Sequence, residues 1–153
     1  MERKTLITVL CLVIAVMQIV AVTTSYWSCD QSNTFHMGLW KACASEMCVD
    51  IPVDGDNSYP VIPLNFARGL SILGCTSIIL FLLFHLSGKG KSLHIPLLVL
   101  GGMSSLISCL IWYTTLRSQA PYGVVPKGDL HLGYSFYLNM VAGLLVVPAV
   151  IFH

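Results

Sequence analysis

The sequence predicts an all-α membrane protein: a four-helix bundle that carries a small antiparallel β-sheet on its extracellular side. Three observations predict it. Four apolar runs, 5–24, 66–87, 93–116 and 133–152, take up most of the 153 residues. Hydrophobic residues make up 56% of the chain and charged residues only 10%, against about 25% charged in a soluble domain. The one long polar stretch, 25–65, lies between the first and second runs and alternates with a strand's period.

Each apolar run is about the 20 residues that an α-helix needs to cross a bilayer core of roughly 30 Å. Lipid offers no hydrogen-bond partners, so the backbone must satisfy itself, and helices do that within one segment. The first run follows Arg3 and Lys4 but is longer than a signal-peptide core, and no small-x-small cleavage site precedes Tyr26. It is expected to stay as a signal anchor. The reading is one membrane domain over 1–153, with outer segments at 25–65 and 117–132.

Orientation follows from charge. Arg3 and Lys4 precede the first run, and Lys89 and Lys91 lie in the turn between the second and third. Positive residues favour the cytoplasmic side, so both termini are expected there. The first outer segment holds Asp30, Glu46, Asp50, Asp54 and Asp56 against Lys41. Its Phe35, Met37 and Leu39 alternate with His36 and Gly38, and Val49, Ile51 and Val53 with Asp50 and Pro52. Such alternation predicts half-buried strands. A hairpin turn falls at 43–48 and a second at 54–58, and Pro52 marks its strand as an edge.

Of the six cysteines, Cys11, Cys75 and Cys109 fall inside helices and read as reduced packing residues. Cys29, Cys43 and Cys48 face the oxidising side, where three single pairings are open. A hairpin favours Cys43–Cys48. Cys29 is then a buried free thiol or an intermolecular partner.

Trp27, the run Gly38-Leu39-Trp40, and Cys43 with Cys48 together resemble the W-GLW-C-C signature of the claudin, peripheral-myelin-protein and epithelial-membrane-protein superfamily. Asn65-Phe66-Ala67-Arg68-Gly69 is similar to the arginine-bearing start of that family's second helix, and 132–138 to the aromatic opening of its fourth. The resemblance implies a left-handed bundle under a five-stranded sheet, four strands from the first outer segment and one from the second. It implies that Cys43 and Cys48 carry the family disulfide and that Trp27, Leu39 and Trp40 pack the sheet base onto the bundle. The C-x4-C spacing is shorter than in classical claudins and closer to the lens-fibre and epithelial-membrane-protein branches. The chain ends at Phe152-His153 without a PDZ-type ligand, so a scaffold-anchored tight-junction claudin is not expected.

Polar residues near or within the runs set further expectations. Arg68 either snorkels to the head groups or links the bundle to the outer segment. Gln18 and Asn139 are expected to face the bundle interior and bond each other between the first and fourth helices. Pairs of small residues four apart, Ser71/Cys75, Gly101/Ser105, Ser104/Ser108 and Asn139/Gly143, allow helices to approach closely, within one chain or between copies.

Several function classes lack support. The net charge is +1, without the clustered basic face that nucleic acid demands. Neither a nucleophile elbow nor a P-loop nor HExxH occurs. A zinc reading of His36, Cys43, Cys48 and His131 has neither the usual cysteine gap nor a histidine pair at ligand spacing. No enzyme, cofactor or metal is expected. The leading reading is a structural protein of the plasma membrane, at cell junctions, that organises membranes or adheres through self-assembly of its sheet and bundle. Its partners are lipid and other copies of itself. One alternative is an auxiliary subunit clasping a larger membrane protein such as an ion channel. The other shapes a viral envelope or an intracellular vesicle.

Overall fold

The computed structural model describes residues 3–31, 34–44, 47–51, 61–116 and 130–153. In chain order the elements are α1 (Arg3–Thr23), β1 (Ser28–Cys29), β2 (Phe35–Met37), β3 (Lys41–Ala44), β4 (Met47–Asp50), α2 (Val61–Ser87), a 3-10 turn (Lys91–Leu93), α3 (His94–Ile111), β5 (His131–Leu132) and α4 (Tyr134–Phe152). A π-helical turn, Trp112–Leu116, continues α3. Among the described residues, four helical spans are long and apolar enough to cross a membrane. Around the bundle each helix packs on its neighbours in sequence, and α4 closes the ring on α1.

Helix ends have local causes. α2 starts at Val61, ahead of its apolar run, and Pro63 falls in its first turn, where a missing N–H costs nothing. Its C-terminus is closed by Gly88 at φ 68°. The Gly88 amide bonds the His85 carbonyl at 3.4 Å and the Lys89 amide the Phe84 carbonyl at 3.2 Å, the paired bonds of a Schellman cap. Gly90, at φ 63°, then turns the chain into α3. Pro96 sits in the first turn of α3, whereas Pro148 lies inside α4.

All five strands join one antiparallel sheet in the order β4-β3-β2-β1-β5. Four come from the first outer segment and one from the second. The hairpin expected at 43–48 is present: Cys43 and Cys48 lie on β3 and β4 and face each other in register. One expectation needs correction, the burial of Val49 on the same face as Ile51. Every residue of β4 is exposed, Val49 by 57%. Ile51 is buried just beyond the strand. β4 is the sheet's edge and stands off the bundle, so neither of its faces meets the core. Val53, Pro52 and the turn at 54–58 lie outside the described residues.

The interior is layered. At the sheet end Trp27, Phe35, Met37, Leu39, Leu64, Trp112 and Phe136 share one apolar cluster. At the opposite, basic end Ile7, Ile14, Ile78, Phe81, Leu98 and Val146 form another. Between them lies a polar layer of buried Gln18, Ser71, Ser105, Ser108 and Asn139. The helices' outward faces are apolar, for example Val16, Leu83, Leu110 and Ile151, as contact with lipid requires.

Candidate functional site

The junction between sheet and bundle is built from the motif residues. α1 ends at Thr23, and the last carbonyls of a helix have no partner within it. Here two indoles supply them. Trp27 Nε1 donates to the Ala21 carbonyl at 2.7 Å, and Trp40 Nε1 to the Val22 carbonyl at 2.9 Å. Trp27 is fully buried, packed on Trp112 with ring centres 5.1 Å apart and edge-on to Phe136 at 6.2 Å. Trp112 Nε1 donates to Ser28 Oγ at 2.9 Å, so the end of α3 holds β1. Leu39 is also fully buried.

Arg68 makes the link to the outer segment; it does not snorkel. Its side chain, rising from α2, is 3% exposed. Nε donates to the Leu39 carbonyl at 2.6 Å, one terminal nitrogen to the Ile51 carbonyl at 2.8 Å and the other to Asn65 Oδ1 at 2.9 Å. The guanidinium lies 5.0 Å over the Trp40 ring, a cation–π contact. One planar fork thus satisfies carbonyls on both sides of the β3–β4 hairpin. A lysine's single ammonium lacks that geometry.

Two glycines clamp the segment between α1 and β1. A Cβ on Gly38 would run into the Ser25 backbone and come within 2.7 Å of the Thr24 carbonyl oxygen. A Cβ on Gly133 would collide with the Tyr26 carbonyl. That same carbonyl accepts the Ser135 amide at 3.1 Å, and the Gly133 amide donates to the Trp27 carbonyl at 2.9 Å. The start of α4 is therefore capped by the segment that Gly133 lets approach.

Cys43 and Cys48 form a disulfide. In the chain-entropy picture so short a ring stabilises by about 2 kcal/mol, which matters to a two-strand edge and little to the bundle. Cys29 is a free thiol of intermediate exposure. Burial first, and the neighbouring Asp30 carboxylate second, push its pKa up, which keeps it protonated and slow to react. His36, from the zinc reading, instead stacks on Tyr26 at 4.0 Å, with Nδ1 3.2 Å from Ser25 Oγ. Cys43 and Cys48, being oxidised, offer no thiolate.

In the polar layer the expected bond between Gln18 and Asn139 does not form. Both side chains do point inward and are fully buried. Each reaches α3 instead: Gln18 Nε2 donates to Ser105 Oγ at 2.7 Å, and Asn139 Nδ2 to the Ser105 carbonyl at 3.3 Å and toward Cys109 Sγ at 3.5 Å. Gln18 Oε1 and Asn139 Oδ1 have no partner among the described residues. The cause is α3, which presents its small-residue face to both neighbours. A Cβ on Gly74 of α2 would lie 2.6 Å from Ser105 Oγ, so all four helices meet at Ser105. Ser71 and Ser108 add an Oγ–Oγ bond of 2.7 Å between α2 and α3.

This layer separates polar bonding from packing. Gln18→Leu should cost about the 0.6 kcal/mol average of a bilayer hydrogen bond. Ser105→Leu should cost about 1–3 kcal/mol or more through overpacking, because no neighbouring helix can give way alone. Unfolding in mixed detergent micelles checks the ranking; an equal cost for both would contradict it.

The sequence reading missed Trp112 and three histidines at the basic end, His85, His94 and His153. A lone boundary tryptophan reads as an interface residue, and the histidines are distant in sequence. Only the position of His85 and His94 on either side of the tight 88–93 turn hinted that two of them meet.

A search of curated protein sequences finds no match to the chain. The sequence profile of the PMP-22/EMP/MP20/Claudin family matches residues 5–151. That span takes in the indole caps, the Arg68 fork, the disulfide hairpin and all but the outermost residues of the first and last helices. The chain therefore belongs to the PMP-22/EMP/MP20/Claudin family, whose members are generally structural, non-enzymatic membrane proteins.

Proposed function

We propose that the protein is a junctional or membrane-organising component of the plasma membrane that self-assembles through its outer sheet. The observation that carries this reading is β4. It is a sheet edge with Met47 75% exposed and Val49 57% exposed. An exposed apolar edge strand offers unpaired backbone groups to another strand and apolar side chains to another surface. The Arg68 fork and the disulfide hold that edge in a fixed position above the bundle, so its presentation does not depend on a flexible loop. Asp50 at the end of β4 and Lys41 opposite it on β3 make a loose pair at 3.8 Å, both well exposed; such a pair adds little stability but sets charge at the edge.

Orientation is part of the proposal. Arg3, Lys4, Lys89 and Lys91 cluster at one end of the bundle, and Asp30 and Asp50 lie at the other. The basic end, with both termini, faces the cytoplasm and the sheet faces outward.

The test is expression in non-adherent cells lacking junctions, followed by freeze-fracture imaging and an aggregation assay. The wild-type chain should form strands or clusters at cell contacts. Met47→Glu with Val49→Lys should abolish them while leaving surface expression unchanged. Wild-type particles that stay dispersed, or that co-purify with a larger channel in fixed ratio, would turn the reading toward an auxiliary subunit.

A further inference from the structure

At the basic end three imidazoles from three parts of the chain converge. His85 lies in the last turn of α2, His94 opens α3 and His153 follows α4. Their candidate ligand nitrogens all lie within 4.8 Å of one another. His94 Nδ1 is 2.8 Å from His153 Nε2, and the rings pack with centres 4.9 to 5.9 Å apart. Phe81 closes the cluster from the membrane side, with its ring 5.3 Å from His85 and His94 and 5.8 Å from His153. On the other side is a cavity of about 290 Å³ that Arg3, Lys4 and Lys91 also line.

We propose that His85, His94 and His153 form a binding site for one borderline-soft divalent metal ion of the zinc type, with its fourth position open to the basic cavity.

Ring orientation favours this. His94 Nε2 is 3.2 Å from the Lys89 carbonyl. A carbonyl only accepts, so Nε2 carries the proton and Nδ1 presents its lone pair to the cluster. A ring that donates one N–H to a carbonyl while its other nitrogen faces a shared centre is the usual outer arrangement of a metal-binding histidine. The Lys89 carbonyl is held in place by the Schellman cap of α2, so the same turn that reverses the chain also orients His94.

Distances agree with an ion. Zinc–nitrogen bonds of about 2.0–2.1 Å in a tetrahedron place ligand nitrogens roughly 3.3 Å apart. His94 Nδ1 and His153 Nε2 stand 2.8 Å apart and the whole set falls within 4.8 Å, so a modest rotation of half-buried His153 brings the nitrogens to that spacing. His153 Nε2 donates to His94 Nδ1 in the ion-free arrangement. Binding moves that proton to His153 Nδ1, a tautomer change with no net proton release and no redox step.

Charge decides the fourth ligand. Three neutral imidazoles leave the ion's full positive charge, and Arg3, Lys4 and Lys91 stand around the cavity. An anion or hydroxide from solvent completes the site and offsets both.

The site would join the basic ends of α2, α3 and α4, where Arg3 Nε already ties α1 to the Phe152 carbonyl at 2.6 Å. No element of the sheet takes part, so its outcome is independent of the self-assembly proposed above.

The test uses the full chain, purified without a polyhistidine tag in detergent micelles and stripped with chelator, and zinc chloride as the probe. Calorimetry should show one saturable site per chain, and the thermal midpoint should rise with zinc. His153→Ala and His85→Ala should each weaken binding at least by the roughly 10–100-fold that loss of an outer partner alone costs. His36→Ala with His131→Ala should leave it unchanged. Cobalt(II) should give the visible d–d absorption of a tetrahedral site in the wild type and lose it in His153→Gln. This keeps the proposal testable even if His94 variants fail to fold. Zinc binding that survives in the double variant His85→Ala with His153→Ala, or no saturable binding to the wild type, would overturn it. So would stabilisation by inorganic phosphate alone with no zinc effect, which would make the cavity an anion site.

Discussion

Arg68→Leu is expected to release the sheet from the bundle while the helices stay formed. The substitution removes the Arg68 donors to the Leu39 and Ile51 carbonyls and leaves both carbonyls at a buried junction. Each orphaned group costs about 1–3 kcal/mol, and the cation–π contact with Trp40 is lost as well. The sum is several kcal/mol, concentrated on the β3–β4 hairpin. Far-UV circular dichroism should keep its helical signal, whereas hydrogen exchange in β2 and β3 should lose protection and Trp40 emission should shift to the red. Arg68→Lys should fall between wild type and leucine, because an ammonium reaches one carbonyl but not two in a plane. Protection unchanged in the leucine variant would mean that the disulfide and apolar packing suffice to hold the sheet.

Gly133→Ala should be at least as damaging, by a different route. The new methyl would occupy the position of the Tyr26 carbonyl, and backbone cannot rotate away as a side chain does. Moving Tyr26 breaks the cap on Ser135 and shifts Trp27, whose indole closes the end of α1. The cost should exceed the roughly 1–3 kcal/mol of ordinary core overpacking. Gly38→Ala presses on the same segment from the β2 side, so the double variant should be less than additive. By contrast Gly69→Ala meets nothing within 4 Å and sits inside α2, where alanine is favoured by up to about 1 kcal/mol. Surface expression and micelle unfolding of the three variants check the order. Equal behaviour of Gly69→Ala and Gly133→Ala would remove the clamp from the account.

These sites were legible in the sequence to different degrees. The helical runs were plain, because lipid imposes one rule on every residue of a span. Trp27, Trp40 and Arg68 stood out because they fall in the motif that the chain shares with the family; which carbonyls the two indoles serve depended on how α1 ends. Strand limits were poorly marked. β1 and β5 have two residues each, too few to display a period, and β4 alternates in sequence yet buries neither face. Gln18 and Asn139 were recognisable as interior groups, but their choice of Ser105 over each other follows from the rotation of α3, which small residues leave unmarked. The histidine cluster was hidden most deeply. His153 reaches His94 only because α4 returns antiparallel to α3 and ends beside the 88–93 turn.

The account rests on a bundle whose sheet and basic turn lie on opposite faces of one membrane. Labelling of sealed cells with an impermeant amine reagent tests this directly, using variants that keep either Lys41 or Lys91 as the sole lysine. Lys41, 58% exposed on β3, should react in intact cells, and Lys91 only after permeabilisation. Reaction of both from the same side would contradict four crossings and remove the basis for an outward-facing sheet.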